Sequence, residues 1–447
     1  VYAPDGLNGL SHRMHPFVRR RICRGYWRDQ PRPILINNWE ATYFDFSFDK
    51  LLAIARRGAE IGCELFVLDD GWFGKRDIDN CSLGDWVVNE KKIGGSLRHL
   101  AESIQALGMR FGLWFEPEMV SPDSDLYRAH PDWALQIPGR DTLQIRNQYT
   151  LDFSRAEVRE GIWQQLTALL DSCPIRYVKW DMNRTLANVY SAALPAARQG
   201  EVYHRYVLGV YDLQERLITR YPDLLLENCA GGGARFDCGM LYYAPQIWCS
   251  DNTDAADRIR IQYGTSFGFP VSAVGSHVSA VPNHQTGRTM PMYTRGVVAM
   301  AGTFGYELDL GKLGNEEKEE IRRAVEVLRK GGVILYPTDT VWGLGCDATN
   351  PEAVAKIFAI KRRPDSKSLV LLASDMDMVC RYIKEVPEIA VQLVEVNDKP
   401  MTIVYPGARA AEPGAPADRH LLAAETVAED SSVAIRVPLN DFCRRLV

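Results

Sequence analysis

Along this chain the hydrophobic pattern changes period repeatedly. Apolar runs of four to eight residues, the length of a buried strand, alternate with longer stretches in which apolar positions recur at helical spacing. From Pro33 onward the strand-like runs are residues 34–38, 65–68, 111–115, 177–180, 224–226, 246–249, 270–274 and 303–308. The helical stretches between them are 48–61, 97–107, 155–170, 202–220, 255–263 and 289–301, with a short helix expected at 233–240. Eight strand–helix units over about 280 residues predict an α/β architecture, a (β/α)8 TIM barrel, with a doubly wound parallel sheet as the alternative. A barrel gathers every strand end around one mouth, and the residues at those ends favour it.

Those ends are polar and reactive. In chain order they read Asn38-Trp39-Glu40, Asp69-Asp70-Gly71-Trp72, Trp114-Phe115-Glu116-Pro117-Glu118, Lys179-Trp180-Asp181-Met182-Asn183, Glu227-Asn228-Cys229-Ala230-Gly231, Ser250-Asp251-Asn252-Thr253-Asp254, Ser276-His277 and Tyr306-Glu307, with Arg146 in a loop after the third unit. The run at 177–180 is apolar enough to be buried, yet the chain then stops on a lysine, an aspartate and an asparagine. A strand tolerates that where its tip opens into a site. Asp181 is therefore the candidate catalytic nucleophile, against the plainer reading of a strand-end aspartate that caps the next helix.

Pooled at one rim, these residues suit a sugar. Tryptophan faces stack on sugar rings, and carboxylates, lysine and arginine bind hydroxyls. Paired carboxylates with aromatic walls and no metal triad point to glycoside hydrolysis. A retaining site holds two carboxyls about 5–5.5 Å apart, one ionised to attack and one protonated to release the leaving oxygen. Lys179, two residues before Asp181, places a positive charge on the same strand face. Asp251, at the end of the sixth strand and so near the fourth in a barrel, is a candidate for the second carboxyl facing Asp181 across the mouth; its plainer reading is a helix N-cap, a role Asp254 can also take. His277 reads as a structural histidine or a catalytic one, Glu116 and Glu118 as supporting residues, and Asp237 and Asp257 as surface or capping residues.

Composition narrows the class without choosing a substrate. The 447 residues are 46% apolar and 24% charged, ordinary for a soluble globular protein and sufficient for two or three domains. A net charge of −5 and a pI near 6.0 argue against nucleic-acid binding through bulk charge, so no such partner is expected. No apolar run reaches the roughly 18 residues of a membrane span, and no signal peptide is apparent. The ten cysteines form no CxxC pair and no even framework, which fits a reduced, cytoplasmic protein. A homo-oligomer is compatible with this composition. The chain opens on Val1, and its Arg-rich residues 1–30 are expected to be the remnant of an upstream domain together with a linker.

Taken together, the barrel motifs resemble the α-galactosidases of glycoside hydrolase family 36. The likeness is carried by Asp69-Asp70-Gly71-Trp72-Phe73-Gly74, Trp114-Phe115-Glu116-Pro117-Glu118, Lys179-Trp180-Asp181-Met182-Asn183 and Trp248-Cys249-Ser250-Asp251-Asn252-Thr253-Asp254. Glu227-Asn228-Cys229-Ala230-Gly231-Gly232-Gly233 and Gly275-Ser276-His277-Val278-Ser279 support it. The likeness spans residues 33–313, and the catalytic barrel is expected at 31–313. It implies a retaining mechanism on α-galactosides without cofactor or metal, with Asp181 as nucleophile and Asp251 as general acid/base. It also implies substrate contacts from Asp69, Asp70, Trp114, Arg146, Lys179, Asn183, Cys229 and Gly231, with Trp39 at the rim. The β-domains that usually flank the family's barrel are not apparent in the sequence.

Past Leu313 the sequence changes character. Residues 315–330 predict a charged amphipathic helix with Ile321, Ala324, Val325 and Leu328 on one face, ended by Gly331-Gly332. A strand at 333–336 leads into Pro337-Thr338-Asp339-Thr340-Val341-Trp342-Gly343-Leu344, which lacks the spacing of a Walker loop. A helix at 352–359 leads into Lys361-Arg362-Arg363-Pro364 and Lys367-Ser368-Leu369, cations suited to phosphate or simply a solvated basic turn. With Lys399-Pro400-Met401-Thr402 and Val433-Ala434-Ile435-Arg436-Val437-Pro438, these segments resemble YrdC-like threonylcarbamoyl-AMP synthases, which join threonine, bicarbonate and ATP for tRNA modification. Ser368 stands where that family usually has proline, and residues 408–430 fit it poorly.

This second likeness implies a partial α/β domain at 314–447, expected to be truncated before the family's Ser-Ala-Asn segment. Thr340, Lys361, Arg363 and Lys367 would meet the nucleotide, with ATP and Mg as cofactors if this part is active. Two incomplete enzymes meeting at one helix suggest a chimeric chain. The expected function is hydrolysis of terminal α-galactosyl residues of oligosaccharides. The alternatives are threonylcarbamoyl-AMP synthesis by the C-terminal part and a barrel that binds galactosides without turning them over.

Overall fold

The computed structural model describes residues 2–4, 6–314, 333–337, 342–361, 369–397, 399–418 and 420–439. The chain divides into two compact units, Val1–Leu313 and Gly314–Val447.

The first unit is a closed barrel of eight parallel strands: β1 (Leu35–Asn37), β2 (Leu65–Leu68), β3 (Arg110–Phe115), β4 (Ile175–Trp180), β5 (Leu225–Asn228), β6 (Gln246–Trp248), β7 (Val274–Ser279) and β8 (Thr303–Glu307). Each pairs with its neighbours in sequence, and β1 closes on β8 through Leu35–Gly305 and Ile36–Tyr306. Helix α1 (Gly6–Phe17) precedes the barrel. The crossovers carry α2 (Phe48–Glu60), α3 (Leu97–Gln105), α4 (Ala156–Ser172), α5 (Val202–Arg220), α6 (Cys238–Tyr243), α7 (Ala255–Thr265) and α8 (Met292–Ala299). The strands are covered on both faces, so they read as continuous apolar runs. The helices are amphipathic: α2 buries Leu51, Ile54, Ala55 and Gly58 on one stripe. The doubly wound alternative is excluded by closure.

Inside the barrel, alternate residues of each strand point inward. The lower layer joins Leu35, Leu65, Val67, Tyr177 and Leu225 to Trp27 from the N-terminal segment. Trp27 is 6% exposed, donates its indole N–H to the Asp223 carbonyl at 2.9 Å and lies under the Arg110 guanidinium. The segment expected as a linker therefore packs against the barrel, although Arg19, Arg20 and Arg21 are exposed as expected of a basic run. Small residues make room for large neighbours. A Cβ on Gly112 would come within 2.7 Å of the Tyr177 ring, and one on Gly275 within 2.8 Å of the Trp248 ring.

The seventh strand corrects the sequence reading. It runs over Val274–Ser279, while Val271–Ala273, inside the predicted strand, form a 3-10 turn. Pro270 supplies no ladder donor, and the inward Gly275 and His277 lower the apolar signal where the strand lies. The short helix expected at 233–240 is Cys238–Tyr243, capped by Asp237. The helix expected at 315–330 lies outside the described residues.

In the second unit, β9 (Ile334–Pro337) and β10 (Trp342–Gly345) form an antiparallel pair. Three further strands, β11 (Val370–Leu372), β12 (Ile403–Tyr405) and β13 (Val433–Arg436), make a mixed sheet with β13 in the centre. Helices α9 (Pro351–Lys361), α10 (Met376–Tyr382) and α11 (Glu388–Glu395) accompany them. Val379, Ile383, Tyr405, Val433 and Ile435 are buried in a common core. The strand and helix order is that of an α/β domain.

Trp27→Ala is expected to destabilise the barrel unit by about 3–5 kcal/mol, the cost of emptying a large buried site. Urea unfolding followed by circular dichroism reads it, and an unchanged midpoint would place Trp27 outside the core.

Candidate active site

The period of two on β4 stacks Tyr177, Lys179 and Asp181 on its inward face, from the apolar floor to the mouth. Lys179 is 7% exposed, and its ammonium lies 3.0 Å from Asp69 Oδ2. The same oxygen accepts the Asn37 side-chain N–H at 2.6 Å, and Asp69 Oδ1 accepts the Asp70 backbone N–H at 2.9 Å. Burial works against the charge on Lys179, but Asp69, Glu307 and Asp181 outweigh it and hold its pKa well above the ordinary value. Asp181, itself buried, accepts the Trp114 indole N–H at 3.1 Å and the Asn183 side-chain amide at 2.8 Å on Oδ2, and the Met182 backbone N–H at 2.8 Å on Oδ1. Three donors and a nearby ammonium thus fix this carboxylate at the mouth.

Asp251 sits in the loop after β6. It does not cap α7; that role belongs to Asp254, which accepts the backbone N–H groups of Ala256 and Asp257. The Cys229 thiol lies 3.9 Å from Asp251 Oδ1 and is close enough to both Asp181 and Asp251 to feel their charge. Burial, then Asp181, then Asp251 push the thiol's pKa well up, so it stays a neutral donor. Burial and the negative charge of Asp181 push the Asp251 carboxyl up to about 6, with Lys179 opposing. The loop is pinned from outside: Gln285 donates to the Asp251 carbonyl at 2.7 Å, and Thr253 donates to Glu40 at 2.6 Å. Close packing needs Gly232 and Gly233, where a Cβ would stand 2.7 Å from the Asp251 nitrogen and 2.4 Å from the Cys249 carbonyl.

The remaining predicted site residues are placed as follows. Asp70 is buried and paired with Arg76, whose Nη2 lies 2.8 Å from Oδ2. Trp39 is half-buried at the rim, edge-on to Tyr43 and Phe44 at 5.1 and 5.3 Å. Arg146 is exposed at the tip of a turn and acts electrostatically on Asp251. Gly231 takes φ +53 with open space beside it. Glu118 is held by Arg235, Trp180 and Tyr206 at 2.6–3.0 Å, a bracing role. His277 pairs with Glu307 at 3.0 Å, also as support below the mouth. Among the described residues no group of three or more acidic, His or Cys side chains could hold a metal ion. Of the expected nucleotide residues, Lys361 is exposed at the last position of α9, while Thr340, Arg363 and Lys367 lie outside the described residues.

The sequence pattern does not single out Asn37, and it marks Glu40 and Glu307 only as strand-end acids without a role. Strand parity is the available signal for Asn37 and Glu307, which continue the inward-facing series of Leu35 and Gly305. Glu40 accepts from Thr253 and from the Ala280 backbone N–H at 3.0 Å, and burial followed by Glu307 pushes its carboxyl up to about 8. Burial followed by Asp181 does the same to Glu116, also up to about 8.

Comparison with known proteins settles the family. Residues 1–335 match the family profile Melibiase. The chain belongs to the melibiase family. Residues 326–447 match a second profile, the Sua5/YciO/YrdC family, described as telomere recombination. Over 385 residues the melibiase chain is 51% identical to the bifunctional α-galactosidase/sucrose kinase AgaSK of Mediterraneibacter gnavus, covering 86% of this chain and 40% of that protein. It is 56% identical over 325 residues to α-galactosidase AgaA of Geobacillus stearothermophilus, covering 73% of this chain and 45% of that one. It thus spans less than half the length of these curated relatives. A solved AgaA variant from G. stearothermophilus in complex with raffinose superposes with a TM-score of 0.72 at 51% identity, covering 78% of this chain and 50% of that one.

Asp251→Asn is expected to stabilise the fold at neutral pH. A carboxyl whose folded pKa is raised from 3.8 to about 6 favours the folded state most when protonated and loses that contribution as pH rises through the window between those values. The gain over wild type should be absent near pH 4 and on the order of 2 kcal/mol at pH 7. Thermal melts at both pH values read it; an equal effect at both would mean Asp251 is not the raised group.

Proposed function

We propose that the barrel unit is a retaining α-galactosidase that removes terminal α-galactosyl residues from oligosaccharides through a covalent glycosyl-enzyme intermediate. The single observation that carries this reading is the contrast between Asp181 and Asp251. Asp181 is fixed by three hydrogen-bond donors, while Asp251 keeps its proton up to about pH 6. Two carboxyls with divided environments can divide the labour of a glycosidase. Asp251 gives its proton to the glycosidic oxygen as Asp181 attacks the anomeric carbon and the leaving group departs. In the second step Asp251 takes a proton from water, which attacks that carbon and frees Asp181. Asp69, Asp70, Lys179, Asn183, Cys229, Gly231 and Arg146 bind the galactosyl hydroxyls, with Trp114 and Trp39 as aromatic walls. The relatives named above as α-galactosidases, and the raffinose complex of one of them, support the substrate class. No cofactor takes part.

The nine described cysteines are free, which supports a reducing, cytoplasmic setting. No helix among the described residues is long and apolar enough to cross a membrane. A second reading, ATP- and Mg-dependent threonylcarbamoyl-AMP synthesis by the second unit, is favoured by the family match over 326–447. Pyrophosphate release that depends on ATP, threonine and bicarbonate would separate it from the barrel's chemistry.

Asp181→Ala is expected to lower kcat for an activated aryl α-galactoside by more than about 10³-fold, since the mutant lacks the group that forms the intermediate. Azide should restore part of the rate. Residual activity above about a hundredth of wild type would remove Asp181 from the role. Galactose binding by the wild-type chain with no turnover would instead support a silent barrel.

A further inference from the structure

Glu116 lies outside the set of residues assigned to the sugar, yet its carboxyl ties two of them together. It follows β3 and is 1% exposed. A single oxygen, Oε1, accepts both the backbone N–H of Asn183 and, at 2.8 Å, the side-chain amide of Gln148. Asn183 in turn donates its own amide to Asp181 Oδ2 at 2.8 Å. Gln148 closes the two-residue turn that presents Arg146, exchanging backbone hydrogen bonds with Ile145 at 3.2 and 3.4 Å. Arg146 and Asn147 at the tip adopt φ of 51° and 58°, left-handed values that non-glycine residues hold only when their surroundings impose them. Arg184, from the Asp181 loop, donates to the carbonyls of Leu143 and Gln148 and braces the same turn.

We propose that Glu116 is a positioning residue that couples the loop holding Asp181 to the Arg146 turn, so that the nucleophile and the cation at the mouth are set in register by one shared acceptor. The kinetic part rests on the α-galactosidase reading; the coupling of the two loops does not. The charged groups that face Glu116 are Asp181, just past the end of β4, and Arg76 from the loop after β2, itself paired with Asp70. Both accepted bonds fall on one oxygen, so glutamine can keep them with its amide oxygen, whereas alanine loses both.

The test compares full-length wild type, Glu116→Gln, Glu116→Ala and Gln148→Ala by hydrogen–deuterium exchange and by steady-state kinetics on an aryl α-galactoside. Glu116→Ala should speed exchange by about tenfold or more in residues 143–149 and 181–185 together, and lower kcat/KM by about 10²-fold with a fall in kcat. Gln148→Ala should loosen only 143–149 and raise KM, with kcat within about twofold of wild type. Glu116→Gln should match wild type in both measurements, a rescue that simple loss of stability does not produce. Faster exchange in only one segment of Glu116→Ala, or Glu116→Gln behaving like alanine, would overturn the coupling. If the alanine variant fails to fold, Gln148→Ala with unchanged exchange overturns it equally. If wild type turns over no galactoside, the α-galactosidase reading fails while the exchange data still decide the coupling.

Discussion

A buried lysine sets the terms for the rest of the barrel. Lys179 sits inside the sheet with its ammonium 3.0 Å from Asp69. A charge at that depth is costly unless it is paired, and removing one partner of such a pair costs several kcal/mol. The fold answers with more negative charge than one lysine can balance: Asp69, Asp181 and Glu307 all act on it, and Lys179 in turn acts on Asp251. The surplus is relieved by protons. Asp251, Glu40 and Glu116 all have raised pKa values, and in each case burial comes first and a neighbouring carboxylate second. Glu307, next to His277 and Lys179, is held below its ordinary value despite its burial. The layout of the charges therefore decides which of these carboxyls hold a proton: Asp251, Glu40 and Glu116 are pushed up, and Glu307 is pushed down.

The same layout explains why the loops matter as much as the strands. Parallel strands bring their ends to one mouth, but side chains reach the right place only if the loops hold their geometry. Gly232 and Gly233 let the loop after β5 press against the backbone that carries Asp251. Glu40 fastens the loops after β6 and β7 to the end of β1. Glu116 does the corresponding work between the loops after β3 and β4. Each brace is a buried carboxyl accepting hydrogen bonds from a neighbouring loop.

Much of this was legible in the sequence because two signals coincided. Apolar runs mark the strands, and the polar residues that end them mark the mouth, which makes Asp181, Lys179 and Asp69 candidates on pattern alone. Where the signals parted, the reading slipped. β7 was displaced because its inward residues are Gly275 and His277, which a hydrophobic pattern passes over. For Asp251 the local pattern alone leaves a helix cap open beside the second carboxyl, and backbone geometry gives the cap to Asp254, the residue the sequence also offered for it. Glu40 and Glu307 were visible as strand-end acids, but their value depends on partners more than two hundred positions away for Glu40 and thirty for Glu307, contacts that local periodicity does not encode.

The most direct test is to trap the intermediate. A slow fluorinated α-galactosyl probe should leave a covalent sugar on the protein, and tryptic digestion followed by mass spectrometry locates it. Lys179 and Arg184 bound a tryptic peptide of residues 180–184, Trp-Asp-Met-Asn-Arg. The account predicts the adduct on that peptide, at Asp181. An adduct on a peptide carrying a different carboxylate, or steady turnover of the probe with that peptide unmodified, would contradict it.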